Sequence, residues 1–142
     1  MINRDWQDPA TVEALLDAHT WAIVGLSDNP TRTAYGIARM LQERGKRIVP
    51  VHPAAARRDL VVLGEKAYPT LADVPFEIDV VDVFRRSEAA GEFADQAVAV
   101  GAGGVWFQLG VVDPDAFERT VAAGVPMVMD TCPAIEWRRR AA

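Results

Sequence analysis

Short apolar runs alternate along this chain with longer stretches in which apolar residues recur every three or four positions. The clearest run, Trp21-Ala22-Ile23-Val24, is continuous, the pattern of a strand buried on both faces. Gly25 ends it, and Leu26-Ser27-Asp28-Asn29-Pro30 is a cluster of turn formers. From about Ala34 the period becomes helical. Ile37, Ala38, Met40 and Leu41 share a face, and Gly45 sits where a left-handed C-terminal residue belongs. Upstream, Asp8-Pro9 predicts a helix cap and first residue. Val12, Leu15 and Leu16 then mark one face of a helix over about 9–19, with His19 placed to cap its end.

Downstream, Lys46-Arg47 lead into a strand at Ile48–Val51 that stops at His52-Pro53, before a loop from Ala54 to Asp59. Leu60–Leu63 and the GEKAYP stretch after it compete for an edge strand, and Thr70–Val74 suggests one helical turn. A strand over Ile78–Phe84 is followed by a helix capped at Ser87, with Ala89, Phe93, Ala97 and Val100 in its body. Gly103–Leu109 reads as a strand ending at Gly110, and Asp113-Pro114 starts a helix that Gly124 stops. Val125–Met129 is the last strand, before a partly helical tail over about 131–142. Strands alternating with helices of about ten residues mean right-handed βαβ units and a mostly parallel sheet in one domain over 1–142. Such sheets bind ligands beyond the carboxyl ends of their strands, where strand order reverses.

Composition narrows the class. Half of the 142 residues are hydrophobic, enough for a real core. No apolar run approaches a membrane span, and the first residues, MINRDWQD, do not read as a signal peptide. Cys132 is the single cysteine, which excludes an internal disulfide and fits a reducing cytoplasm. The net charge of −5 argues against general nucleic-acid binding. Two distant histidines and one cysteine do not make a zinc site. Neither histidine reads as a base for Cys132, so no catalytic residue is assigned.

The chemistry lies in the loops after the strands. Strand, glycine-bearing loop and helix over 20–45 form a phosphate-binding unit, because the helix N-terminus offers free N–H groups to an anion. The loop is not a dinucleotide fingerprint: Ser27 stands where a second glycine belongs, and the next glycine is Gly36. It adds the hydroxyls of Ser27, Thr31 and Thr33 and the cation Arg32. Five of the fifteen Lys and Arg residues (Arg32, Arg57, Arg58, Arg85 and Arg86) fall in loops after three strands. Guanidinium groups so placed suit a polyanionic small molecule. NAD-binding folds carry a carboxylate after the second strand for the ribose diol, and here Val51-His52-Pro53 has none. NAD is therefore disfavoured, and an adenosine with a 3′- or 2′-phosphate, as in CoA or NADP, is favoured.

In order along the chain, VGLSDNPTRTAYGIARMLQERGKRIVPVHP, GEKAYPTLADVP, IDVVDVFRRSE, GVWFQLG and MDTCPAIEW resemble the stand-alone CoA-binding domain proteins. That family is related to the CoA-binding domain of the succinyl-CoA synthetase alpha subunit. The resemblance runs over roughly Thr20 to Trp137. It implies a Rossmann-like, doubly wound α/β fold, with a mostly parallel sheet of about five to six strands and helices on both faces. It implies coenzyme A or an acyl-CoA over Gly25, Leu26, Ser27 and the helix carrying Gly36. Further contacts are implied from Arg32 and Tyr35, from the His52-Pro53 turn and from Phe84-Arg85. Gln108, Leu109 and Gly110 would border the pantetheine side. His52 departs from the asparagine common in that family.

Tyr35 and Trp106 could stack on adenine, but an aromatic in a strand or first helical turn reads as core. Asp82 in mid-strand needs a buried partner, and a structural hydrogen bond suits it better than catalysis. The expected function is non-catalytic binding of coenzyme A or acyl-CoA in the cytoplasm, as a carrier, a sensor or the partner of a separate acyl-CoA-handling enzyme. The alternative is an NADP-binding redox sensor or small oxidoreductase. A homo-oligomer is compatible with Trp137 beside the arginine-rich tail, and no membrane or nucleic-acid partner is expected.

Overall fold

A computed structural model describes residues 6–141. The sheet strands are β1 (Thr20–Val24), β2 (Arg47–Val51), β5 (Val80–Val83), β6 (Val105–Phe107) and β7 (Met127–Val128). A separate antiparallel hairpin joins β3 (Val61–Val62) to β4 (Glu65–Lys66). The helices are α1 (Pro9–Leu16), α2 (Thr33–Glu43), α3 (Ser87–Ala99), α4 (Pro114–Ala122) and α5 (Pro133–Ala141). All five sheet strands are parallel, in the order β2-β1-β5-β6-β7. The order reverses between β1 and β5, which places the ligand crevice there.

Each strand contributes side chains to two apolar layers. One layer joins Ala22, Val24, Val81, Val83, Val105 and Phe107 to the small residues Ala90, Ala94 and Ala97 of α3 and Ala116 of α4. The other joins Trp21, Ile23, Ile48 and Trp106 to Leu15 and Leu16 of α1, Ala38 and Leu41 of α2, and Trp137 of α5. Helices therefore cover both faces, as the continuous apolar strands require. Trp106 is fully buried, its indole N–H donating to the Thr131 carbonyl at 2.9 Å and its ring 5.8 Å from that of Trp21. It belongs to the core and does not stack on a ligand.

Several boundaries differ from the sequence expectations. Helix α1 ends at Leu16, because the Asp17 and Ala18 N–H groups already close its last turn. His19 is therefore not its cap; its N–H instead donates to Asp79 Oδ2. Helix α3 starts at Ser87 itself, with Arg86 as the capping residue. The Ser87 hydroxyl instead accepts from the Val112 N–H at 2.9 Å and donates to the Gly110 carbonyl. The two candidates for an edge strand pair with each other, through a two-residue turn at Leu63-Gly64 with both φ positive. That conformation suits a tight hairpin, and Gln42 Nε2 holds it by donating to the Leu63 carbonyl at 3.0 Å. Tyr68 adds one parallel bridge to Val51, so the β2 edge is covered without a sixth strand. Trp137 packs under Arg44, whose guanidinium lies 4.2 Å from the ring centroid, so it serves an intrachain contact.

Gly25 is the tightest point of the frame. Its φ is +97°, and a Cβ there would lie 2.8 Å from the Phe84 carbonyl oxygen at the end of β5. Both the conformation and the contact exclude a side chain. Gly25→Ala is expected to destabilise the fold by about 1–3 kcal/mol, read as a lower urea midpoint. An unchanged midpoint would show that β1 and β5 can part at no cost.

Candidate functional site

Beyond the carboxyl ends of β1, β5 and β6 lies a cavity of about 630 Å³. Gly25, Arg32, Thr33 and Ala34 form one side, Phe84, Arg85 and Arg86 the second, and Gln108–Val111 the third. Cys132 and Ile135 of the last loop and α5 close the far end. The cavity is thus cationic on the α2 and α3 side and apolar toward Val111 and Ile135.

Helix capping distinguishes the helix starts that line the cavity from those that do not. Outside the lining, α1 is capped by Asp8, which accepts from the Thr11 N–H at 3.0 Å, and α4 by Asp113, which accepts from the Ala116 N–H at 3.1 Å. At the cavity, α2 and α3 have Arg32 and Arg86 in the capping position, and neither makes a side-chain cap bond. Among the described residues no side chain accepts from the first N–H groups of either helix, and a guanidinium stands where the other two helices have a carboxylate. An anion satisfies both features.

Arg58, Arg119, Arg139 and Arg140 have carboxylate partners; among the described residues Arg32, Arg57, Arg85 and Arg86 at this edge have none, and neither do Arg39, Arg44, Arg47 and Arg138 elsewhere. The Arg58–Asp28 pair is two-pronged, at 3.2 Å for each nitrogen, and bridges the loops after β1 and β2. Next to it, His52 Nδ1 accepts from the Ala54 N–H at 3.0 Å and caps the short helical turn Pro53–Ala56. That is the service an asparagine oxygen performs at such a position. Burial, then the charges of Arg85, Arg57 and Arg58, hold the imidazole below its ordinary pKa. His52 is therefore a neutral cap ringed by three guanidinium groups, two from the loop after β2 and one from the end of β5.

The third side of the cavity is tied down by two contacts. Gly110 N–H donates to Asp130 Oδ1 at 2.8 Å, and Asp130 holds φ +64° to make that reach. Ser87 holds the same turn through Gly110 and Val112. Below it, Gln108 Nε2 donates to Asp82 Oδ1 at 2.7 Å, both side chains being buried. Burial pushes the Asp82 carboxyl up to about 8, against a smaller opposing effect of that hydrogen bond. Burial likewise pushes the Cys132 thiol up, despite the Ala134 and Ile135 N–H groups at the start of α5. Cys132 is thus a thiol at neutral pH rather than a thiolate nucleophile. Among the described residues no three His, Cys, Asp or Glu side chains gather as a metal site.

Of the residues singled out from sequence, Gly25, Arg32, Phe84, Arg85, Gln108 and Gly110 line the cavity. Leu26 is fully buried in the core, which leaves only its backbone for a ligand. Ser27 accepts from the Asn29 N–H inside its own loop. Tyr35 is half-buried against the α2 side of the core, with Arg39 beside its ring, and Gly36 is exposed on that helix; neither lines the cavity. His52 and Pro53 lie beyond its rim, in the basic cluster. Val111 and Ile135 line the cavity and were not singled out from the sequence. Their only signal is position, Val111 after a strand and Ile135 as the third residue of the helix that starts at Pro133.

A second cavity, of about 440 Å³, opens at the other end of the sheet, between Asp17, Arg44, Lys46, Trp137 and Arg140. The carboxyl ends of α1 and α2 point there, which disfavours an anion. Arg140 already contacts Asp17 and Glu13.

A family model described as a CoA binding domain matches residues 19–138. The chain is 36% identical over 111 residues to the uncharacterized protein YneT of Bacillus subtilis (strain 168), spanning 78% of this chain and 79% of that one. Among solved structures it is similar to a hypothetical protein from Pyrococcus horikoshii OT3, at 31% identity and a TM-score of 0.86, over 100% of this chain and 98% of that one. An acetyl-coenzyme A synthetase of Ca. Korarchaeum cryptofilum shares the fold, with a TM-score of 0.67 and 22% identity. That likeness covers 80% of this chain and 26% of the synthetase.

The Asp82 environment sets a pH dependence. An unfolded aspartate titrates near about 4, so the folded chain binds this proton more tightly. The resulting stability is fully present below about pH 4 and is lost as pH rises through about 8, at up to about 1.4 kcal/mol per pH unit. Urea unfolding of wild type and Asp82→Asn at pH 5 and pH 8 should therefore show the variant gaining on wild type at the higher pH. A constant difference between the two would mean that Asp82 titrates normally.

Proposed function

This chain belongs to the CoA-binding domain family, and from that premise we propose that it binds coenzyme A or an acyl-CoA without chemistry of its own. The observation that carries the reading is the cavity where two helix N-termini lack side-chain caps and bear unpaired arginines. The pyrophosphate belongs at the start of α2, over Gly25, with Arg32 beside it. The 3′-phosphate belongs in the cluster of Arg57, Arg58 and Arg85 around the His52-Pro53 turn. The pantetheine arm then runs along Gln108, Leu109 and Gly110 toward Cys132, where the walls become apolar.

A carrier, a sensor or a partner of an acyl-CoA-handling enzyme in the cytoplasm fits this arrangement. A catalytic reading lacks support at the one candidate nucleophile: Cys132 is held as a thiol, and His52 Nδ1 is committed to the Ala54 N–H.

Calorimetry with CoA, dephospho-CoA, NADP and NAD in parallel tests the reading. CoA should bind tightest, dephospho-CoA should lose affinity through the missing phosphate, and NAD should be weakest. Arg32→Ala and Arg85→Ala should each weaken CoA by about 1–3 kcal/mol, the usual worth of a charge-assisted bond. Tight NADP binding with none for CoA would reassign the protein to redox chemistry. Full affinity in both variants would move the site elsewhere.

A further inference from the structure

Asp82 is a carboxyl group in a strand otherwise made of valines, and nothing in the folding of β5 requires it. It faces the layer of α1, α2 and α5, between its register partners Ile23 on β1 and Trp106 on β6. Its exposure is zero. Oδ1 accepts from Gln108 Nε2, and Oδ2 has no partner among the described residues. A buried polar group with one oxygen unsatisfied costs stability that a valine at the same place would not. The group is uncharged at neutral pH, which removes the worst of that cost but not all of it.

Gln108 supplies the other half. Its side chain makes no other hydrogen bond among the described residues, yet its carbonyl oxygen is not among the sealed, unsatisfied atoms. Gln108 lines the cavity, which is the open space available to that oxygen. Gln108 lies two residues beyond Trp106, on the same side of the sheet as Asp82, so it lines the cavity with the buried Asp82 behind it. An unrestrained glutamine would turn either its oxygen or its NH2 group toward a ligand; this one has its nitrogen fastened from below.

We propose that Asp82 is a positioning residue of the ligand cavity: by holding the Gln108 amide nitrogen, it leaves the Gln108 carbonyl oxygen as a fixed acceptor for an N–H or S–H donor of the pantetheine arm. This rests on the CoA reading above and adds to it a specificity device. The Gln108 oxygen accepts a donor and turns away a ligand group that carries only acceptors.

The test is calorimetry with CoA and with adenosine 3′,5′-bisphosphate, which lacks the pantetheine arm, on wild type, Asp82→Asn and Asp82→Val. Asp82→Asn keeps an oxygen for the Gln108 amide and should bind CoA as wild type does. Asp82→Val should bind CoA about three- to tenfold more weakly, the worth of one hydrogen bond. Its affinity for the bisphosphate should not change, and its thermal midpoint should equal or exceed that of wild type. A role in the core alone would lower the midpoint and move both ligands together. That outcome, or full CoA affinity in Asp82→Val, overturns the proposal. Should Asp82→Val not fold, wild type decides through its side-chain amide resonances. The Gln108 NH2 protons should exchange with water far more slowly than those of an exposed glutamine, and exchange at the free rate overturns the proposal. If wild type binds the bisphosphate but not CoA, the CoA reading itself fails, while the amide exchange still judges whether Asp82 fastens Gln108.

Discussion

The ligand edge depends on how closely two strands approach where the chain leaves them. At the end of β1, Gly25 lies against the Phe84 carbonyl of β5, with no room for a Cβ. This contact sits where strand order reverses, so the chain departs from β1 toward one face and from β5 toward the other. The starts of α2 and α3 are thereby brought to one cavity from opposite sides of the sheet. A larger residue at 25 would part the strands and separate the two helix ends that define the site.

Given that convergence, the electrostatics follow from simple substitutions. Aspartates cap α1 and α4, whose starts do not line the cavity. Arginines occupy the same position in α2 and α3, where they add positive charge to helix ends that already carry it. An anion bound between the two helix starts would offset that cost. His52 fits the same logic in reverse. Among three guanidinium groups a protonated imidazole would be repelled, and its neutral form is instead used as a hydrogen-bond acceptor for the turn.

Much of this is legible in the sequence. The continuous run Trp21–Val24 and the Gly25 break predict a doubly buried strand and the tight turn after it, because both follow from local chain physics. The five arginines at 32, 57, 58, 85 and 86, all in loops after strands, likewise point to a basic edge. What was not legible is what depends on distant partners. Ser87 has the composition of a cap, but the Val112 N–H and the Gly110 carbonyl, brought near by the fold, claim its hydroxyl. Ile135 and Val111 look like any apolar residues until α5 and the turn after β6 carry them to the cavity. Asp82 read as a buried group with one structural hydrogen bond. Its partner Gln108 lies 26 residues away and no period connects them.

The paired indoles of Trp21 and Trp106 have an optical consequence. At 5.8 Å between ring centres they share excitation, and Trp106 is fastened to the Thr131 carbonyl, next to the Cys132 that walls the cavity. Trp6 packs against the opposite apolar layer, and Trp137 lies under the Arg44 guanidinium. The fold thus places its paired indoles one residue from the cavity wall, through the Thr131 carbonyl that holds Trp106.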